Sequence, residues 1–314
     1  MRASLLVLNY NGVALLTDCL QSIGDATRCG EDHDVYLLDN CSTDESVAFT
    51  GANFPWVRCV RARRNAFTYS WNELAQELDT EAILLLNNDV VVEPDFVQPL
   101  LDTLSLPNVF AVTTRILTAD RITSQGSRTS GGFHRGLWWF KQLPDIERTS
   151  TTMFAPCQSA YSRSKFLELG GLDELFWPMY HEDIDLSYRA WRRGWRILYE
   201  PKSVLYHLGG QTRTAKGQIW HRTVETQNTF LLQWKNIDDP QMQREHLAWL
   251  PSRLARAAAK GDTPFLKGFK AAWGRRQQML ERRIAEAPLR CIPDREVFAR
   301  IMDGIEGIKE PVTV

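Results

Sequence analysis

The chain carries almost no net charge: 37 Lys and Arg against 38 Asp and Glu leave a formal −1 over 314 residues. A balance this even supplies no field that would gather nucleic acid, so no nucleic-acid partner is expected. No run of about 18 apolar residues occurs, and no spanning helix is expected. Met1-Arg2-Ala3-Ser4 leads straight into Leu5-Leu6-Val7-Leu8 with no small-residue cleavage pattern, which argues against a signal peptide. The six cysteines (Cys19, Cys29, Cys41, Cys59, Cys157 and Cys291) include no C-x-x-C pair. Scattered thiols point to a reducing cytoplasm and away from a disulfide frame or a zinc site. Neither G-x-G-x-x-G nor G-x-x-x-x-G-K-[ST] is present, so a dinucleotide fingerprint and a P-loop are both excluded. Internal repeats are absent too.

A composition 44% hydrophobic and 24% charged suits one large α/β domain with an appendage. Strand-like runs at 4–8, 34–38, 57–60, 82–86 and 109–116 alternate with helical patterns at 13–23, from 45, at 67–78 and at 94–104. That rhythm predicts a doubly wound, mostly parallel sheet. Residues 120–155, rich in Ser, Thr, Gly and Arg with the aromatic run Trp138-Trp139-Phe140, are expected to be irregular cover over a site. From residue 216 the pattern is helical to the end.

Two segments carry candidate chemistry. Ala82-Ile83-Leu84-Leu85-Leu86 is a doubly buried strand that stops on Asn87-Asn88-Asp89. Parallel sheets bind ligands just outside the carboxyl ends of their strands. Oxygen donors at 87 and 89 can share a hard cation, Mg²⁺ or Mn²⁺, and leave places for phosphates. The segment equally suits a plain strand with a polar turn. The second is His181-Glu182-Asp183-Ile184-Asp185-Leu186, opening a helix that Gly194 ends. The helix dipole explains one acid in the first turn more readily than three. Carboxylates this close raise one another's pKa, which suits one of them to accept a proton. A well-capped helix with surface acids is the plainer alternative.

In this order and spacing the motifs resemble a known family. Leu8-Asn9-Tyr10-Asn11-Gly12, Asp39-Asn40-Cys41-Ser42-Thr43-Asp44, Arg64-Asn65-Ala66-Phe67 with Asn72, and Asn87-Asn88-Asp89 are followed by Gly170-Gly171-Leu172-Asp173, Glu182-Asp183-Ile184-Asp185-Leu186 and His207. From Ser4 to Thr212 the chain resembles the inverting family-2 glycosyltransferases of GT-A fold, a Rossmann-like architecture, and within them the rhamnosyltransferase-like members that build cell-surface glycans. The resemblance implies a transferase domain over 1–215, with 1–118 binding the nucleotide-sugar and 119–215 the acceptor, and a helical C-terminal region over 216–314. It implies a nucleoside-diphosphate sugar donor (dTDP-, UDP- or GDP-linked) and a glycan or lipid-linked glycan acceptor.

The resemblance also implies roles. Asn9, Tyr10, Asp39, Asn65, Asn72 and Asn88 would line the nucleotide-sugar site, with Arg213 beside the diphosphate. Asn87 and Asp89 occupy the family's D-x-D positions, Asn standing first, and His207 would complete the shell of Mg²⁺ or Mn²⁺. Asp183 would be the general base and Glu182 its support. Trp177 and Asp185 would meet the acceptor, Asp185 also capping and pairing with Arg189. A nucleotidyltransferase of similar fold is the runner-up, disfavoured because Asn9-Tyr10-Asn11-Gly12 lacks the basic loop a triphosphate needs. A non-catalytic sugar-nucleotide-binding protein is the other alternative.

Residues 244–283 hold ten Lys and Arg against three Asp and Glu. Phe265, Phe269 and Trp273 recur at helical spacing among them, as do Leu247, Leu250 and Leu254. Such helices can lie on an anionic membrane surface, which would make the protein peripheral at the inner face of the plasma membrane. The alternative is packing on the catalytic domain or, in a homo-oligomer, on a second subunit.

Overall fold

The computed structural model describes residues 1–28, 30, 32–209 and 217–306. In chain order its elements are β1 (Ala3–Asn9), α1 (Val13–Thr27), β2 (Asp34–Asp39), α2 (Ser46–Asn53), β3 (Arg58–Arg61), α3 (Ser70–Glu77), β4 (Ala82–Asn87), β5 (Val90–Val92), α4 (Val97–Leu104), β6 (Val109–Thr118), β7 (Thr129–His134) and β8 (Leu137–Gln142). There follow β9 (Ser150–Thr151), β10 (Ser159–Ser162), α5 (Arg163–Glu168), α6 (Glu182–Arg192), β11 (Arg196–His207), α7 (Gln218–Asn236), α8 (Pro240–Ala259), α9 (Thr263–Gly274), α10 (Arg276–Glu286) and α11 (Asp294–Glu306).

The main sheet runs in the order β3-β2-β1-β4-β10-β6-β11-β5, with β9 beside β11. Pairs β1–β2, β1–β4, β2–β3 and β6–β11 are parallel, while β10 and β5 run antiparallel to their neighbours. The aliphatic run in β4 is buried on both faces because one core packs under each. Leu84 and Leu86 face α1 and α4, and Ile83 and Leu85 face α3 and the second half of the chain. Pro94 sits in a turn, and the helix expected from it begins at Val97. Gly194, at φ +82°, ends α6 as expected, in a conformation a side chain would resist.

Two expectations are corrected. Residues 120–155 are not irregular throughout: β7 and β8 pair as a hairpin, with Trp138 buried against Tyr188 at 4.5 Å. The aromatic ridge of α9 does not face outward. Phe265 and Phe269 pack on Phe230 of α7 at 5.7 and 5.2 Å, and only Trp273 is left 55% exposed. Gly268 permits that approach, since a Cβ there would lie 2.7 Å from the Thr223 carbonyl oxygen. Helical spacing of aromatics suits a protein-facing stripe as well as a lipid-facing one. The C-terminal helices therefore share the larger core, through Phe230, Leu231, Ala272 and Val297. No helix among the described residues is long and apolar enough to cross a membrane.

Candidate active site

Sheet register brings three strand ends to one edge. Asn9 lies opposite Asp39, and Leu8 opposite Asn87. Asn9 is wholly buried, donating to Ser42 Oγ at 3.2 Å and accepting from Asn88 Nδ2 at 2.7 Å. Gly12 makes room for that bridge: a Cβ there would sit 2.1 Å from Asn88 Nδ2. Asp39 is also fully buried; both its oxygens accept the Ser42 N–H at 3.2 Å, and Arg61 lies 3.9 Å away. Neither Asn9 nor Asp39 presents an oxygen at the surface: Asn9 Oδ1 accepts from Asn88, and the Asp39 carboxylate accepts from the Ser42 N–H. Tyr10, by contrast, is 53% exposed. Asn65 is half-buried and accepts from the Phe67 N–H at 3.2 Å. Asn72 clamps the Leu172 backbone in both directions, at 2.8 and 2.9 Å, and its amide is committed there. Arg213, with Gly210, Gln211 and Thr212, lies outside the described residues.

The second feature is built by β11. Its antiparallel pairing with β5 sets His207 opposite Val90, and the Leu208 N–H donates to the Asp89 carbonyl at 2.9 Å. His207 Nε2 thereby reaches Asp89 Oδ2 at 3.1 Å, while Nδ1 meets Gln125 Oε1 at 2.9 Å. The hydrogen bond to Asp89 raises the His207 pKa. Asp89 Oδ1 is buried and has no hydrogen-bond partner in the protein. Among the described residues no three His, Cys, Asp or Glu side chains converge on a cation. A carboxylate and an imidazole 3.1 Å apart, with Asn87 two residues before Asp89, are donor types a divalent ion takes, and the orphaned Oδ1 is the atom such an ion would satisfy.

The third feature is the start of α6. Glu182 is 6% exposed; its Oε1 accepts from Thr68 Oγ1 at 3.3 Å and its Oε2 has no partner. Burial first, and then the charge of Asp183, push the Glu182 carboxyl well above the usual range. Asp183 is half-buried and accepts from the Ile184 N–H at 2.8 Å; burial raises its pKa as well. Asp183 is thus the reachable acid, held in a state that takes up a proton readily. Asp185 is a different case. It is 0% exposed, with Lys235 Nζ at 2.8 Å from both oxygens, Arg189 Nε at 2.8 Å and Asn236 Nδ2 at 2.8 Å. The pairing with Arg189 is as expected, but no oxygen is left for an acceptor, so that assignment is corrected.

The segment Ala155–Gln158 joins these features. Gln158 N–H donates to the Leu85 carbonyl in β4 at 2.7 Å, and Ala155 N–H to Ser187 Oγ in α6 at 3.0 Å. Cys157 between them is pushed well up, by burial first and then by Asp183 and Glu182. Trp177 is half-buried, stacked on Tyr69 at 5.8 Å with Arg64 over its ring at 5.5 Å. The Tyr69 hydroxyl is buried without a partner, like Glu182 Oε2. Thr68, Tyr69, Ser42 and Gly12 were not singled out from sequence as site residues. Only Gly12 and Ser42 had a signal there, by their place inside the motifs.

Comparison with known proteins fits this arrangement. The curated N-acetylgalactosaminyltransferase 6 of Drosophila melanogaster is 25% identical over 60% of this chain and 32% of its own length. An N-acetylglucosaminyl-diphospho-decaprenol L-rhamnosyltransferase of Mycobacterium tuberculosis is 28% identical over 57% of this chain and 67% of its own. The chain spans about a third or less of the length of the first curated relatives it matches. Among solved structures, GalNAc-T7 with UDP, GalNAc and Mn²⁺ superposes with TM-score 0.62 at 18% identity, over 76% of this chain and 48% of that one. The mannosyltransferase PcManGT of Pyrobaculum calidifontis, with GDP-Man and Mn²⁺, gives 0.55 at 17% identity, over 91% and 84%. These likenesses establish the GT-A fold, with a rhamnosyltransferase among the relatives. The profile described as glycosyl transferase family 2 matches residues 4–170, more than half of the sequence, and the chain belongs to that family.

Proposed function

We propose that this chain transfers a sugar, with inversion, from a nucleoside-diphosphate sugar to an acceptor hydroxyl, and that Asp183 is the general base. The observation that carries the reading is the contrast within α6: of three acids in one turn, Asp185 is sealed into ion pairs and Glu182 is buried, while Asp183 remains reachable with a raised pKa. A base of that kind removes the acceptor proton as the hydroxyl attacks the anomeric carbon, and the leaving nucleoside diphosphate departs on the opposite face. Burial pushes the Glu182 carboxyl up, which favours its neutral form and works against a second negative charge in the site. Tyr10, Asn65 and Asn88 border the nucleotide, over a floor built by Asn9 and Asp39. Trp177 offers a ring face to an acceptor sugar.

Asp89, His207 and Asn87 would hold Mg²⁺ or Mn²⁺; when bound, that ion neutralises charge on the diphosphate. His207 must shed the proton it shares with Asp89 to serve as a ligand. Mn²⁺ beside UDP or GDP-Man in the neighbouring structures supports this choice. The N-acetylglucosaminyl-diphospho-decaprenol L-rhamnosyltransferase among the relatives supports a lipid-linked glycan as acceptor. The test is Asp183→Asn. Transfer should fall by at least about a hundredfold while nucleoside-diphosphate binding persists. Near-normal turnover would remove Asp183 from the mechanism.

A further inference from the structure

One face of α7 grips the segment that leads into the acidic helix. Asn228 is 0% exposed, and the two hydrogens of its Nδ2 are shared among the carbonyls of Phe176, Met179 and Tyr180, at 2.7, 2.8 and 2.9 Å from the nitrogen. Thr229 Oγ1 meets His181 Nε2 at 3.0 Å. Its own hydroxyl proton goes to the Glu225 carbonyl at 2.8 Å, so the imidazole is the donor. His221 Nδ1 meets the Tyr180 hydroxyl at 2.7 Å. Lys235 bridges Asp173 at 2.7 Å and Asp185 at 2.8 Å. These α7 residues recur at spacings of seven and eight, one stripe of a helix.

The gripped loop needs holding. Tyr180 and His181 both adopt φ +74°, a left-handed conformation unfavourable for residues with side chains. Such a conformation persists only where the surroundings over-determine it. Three carbonyls converging on one buried amide are such surroundings. The loop carries Trp177 at one end and delivers Glu182 and Asp183 at the other.

We propose that Asn228 is a positioning residue, fixing through the carbonyls of Phe176, Met179 and Tyr180 the geometry of Trp177 and Asp183 toward the acceptor. The proposal rests on the transferase reading above. It lies outside the stretch matched by the family profile, which ends at residue 170. The hydrogen bonds of Asn228 go to Gln227, Phe176, Met179 and Tyr180 and to none of the strand-end residues that border the nucleotide, so its effect falls chiefly on the acceptor side.

The experiment compares full-length wild type, Asn228→Ala, Thr229→Val and, as a control on the exposed face of the same helix, Glu225→Gln. Nucleoside-diphosphate affinity in Mn²⁺ is read by calorimetry, backbone hydrogen exchange of residues 176–185 by mass spectrometry, and acceptor-dependent turnover by product release. Misplacement of a catalytic group by about 1 Å costs about a hundredfold in rate. For Asn228→Ala we expect faster exchange confined to 176–185, a loss of that order in turnover, and affinity within about twofold of wild type. Thr229→Val should show the same pattern more weakly, and Glu225→Gln none of it. Faster exchange with undiminished turnover, or an equal loss of nucleotide affinity, overturns the positioning role. Loss of exchange protection throughout Asn228→Ala would mean a fold defect; Thr229→Val then decides by the same criteria. A wild type that releases no nucleoside diphosphate from any sugar donor fails the transferase reading itself, and the positioning role with it, in an arm separate from the variants.

Discussion

Lys235 Nζ stands 2.8 Å from each oxygen of Asp185, fifty residues away in sequence, and both side chains are sealed from solvent. A buried pair adds little by itself, but removing one partner strands the other's charge. Lys235→Met should therefore destabilise the protein in urea unfolding, toward the low end of about 3–5 kcal/mol, because Asp185 and Asp173 both lose the Lys235 ammonium and keep only the weaker cover of Arg189 at 2.8 Å and Arg282 at 3.5 Å. A cost below about 1 kcal/mol, the size of an exposed pair, would show that the network is not closed to water.

The Asp89–His207 pair predicts a graded metal response. Asp89→Ala should raise the dissociation constant for nucleoside diphosphate in Mn²⁺ by at least about tenfold and erase the difference between Mn²⁺ and chelator. His207→Ala should do so more mildly, because Asp89 remains as the charged ligand. Calorimetry without any sugar acceptor reads this directly. Equal affinity of the wild type with and without chelator would reassign Asn87 and Asp89 to direct contact with the donor.

Glu182 gives a pH signature in stability. Its pKa is raised on folding, by burial first and Asp183 second. A carboxyl raised in this way favours the folded state fully below its unfolded pKa, and that contribution is lost as pH climbs through the folded value. Glu182→Gln, permanently neutral, should gain on the wild type as pH rises from about 5 to about 8 in thermal melts. A gain that grows toward acid instead would reverse the assigned direction.

Gly12→Ala tests the floor of the nucleotide side. The added Cβ would lie 2.1 Å from Asn88 Nδ2 and 2.7 Å from Asn9 Oδ1, so the 2.7 Å bridge between them must break. Overpacking of this kind costs about 1–3 kcal/mol. Donor affinity should fall with it, since Asn88 and its neighbours Asn87 and Asp89 move together. Unchanged melting temperature and donor affinity would show that the Asn9–Asn88 bridge is not needed.

Much of this was present in the sequence, for a physical reason. Strands buried on both faces leave unbroken aliphatic runs, so β1, β2 and β4 and the polar residues at their ends could be placed before any coordinates. The acidic start of α6 and its Gly194 stop were equally plain. What spacing could not tell was which acid of the turn stays reachable. Asp183 and Asp185 are the same residue type, and two of the partners that seal Asp185, Lys235 and Asn236, sit on α7. Nor could spacing show that Asn9 and Asp39 are both buried, Asn9 bonded to Ser42 and Asn88 and Asp39 to Ser42. Phe265 and Phe269 show the limit from the other side: an amphipathic stripe fixes that a helix has a covered face, and only the position of Phe230 says what covers it.

The hold of α7 on the acidic helix bears on how this protein can be re-engineered. A chimera that exchanged the chain at residue 216 for the C-terminal helices of another transferase would swap out Asn228, Thr229 and Lys235 while keeping the Phe176–Asp185 segment they hold. The exchangeable cassette is instead discontinuous: residues 173–185 and 221–236 have to be transplanted together, or not at all.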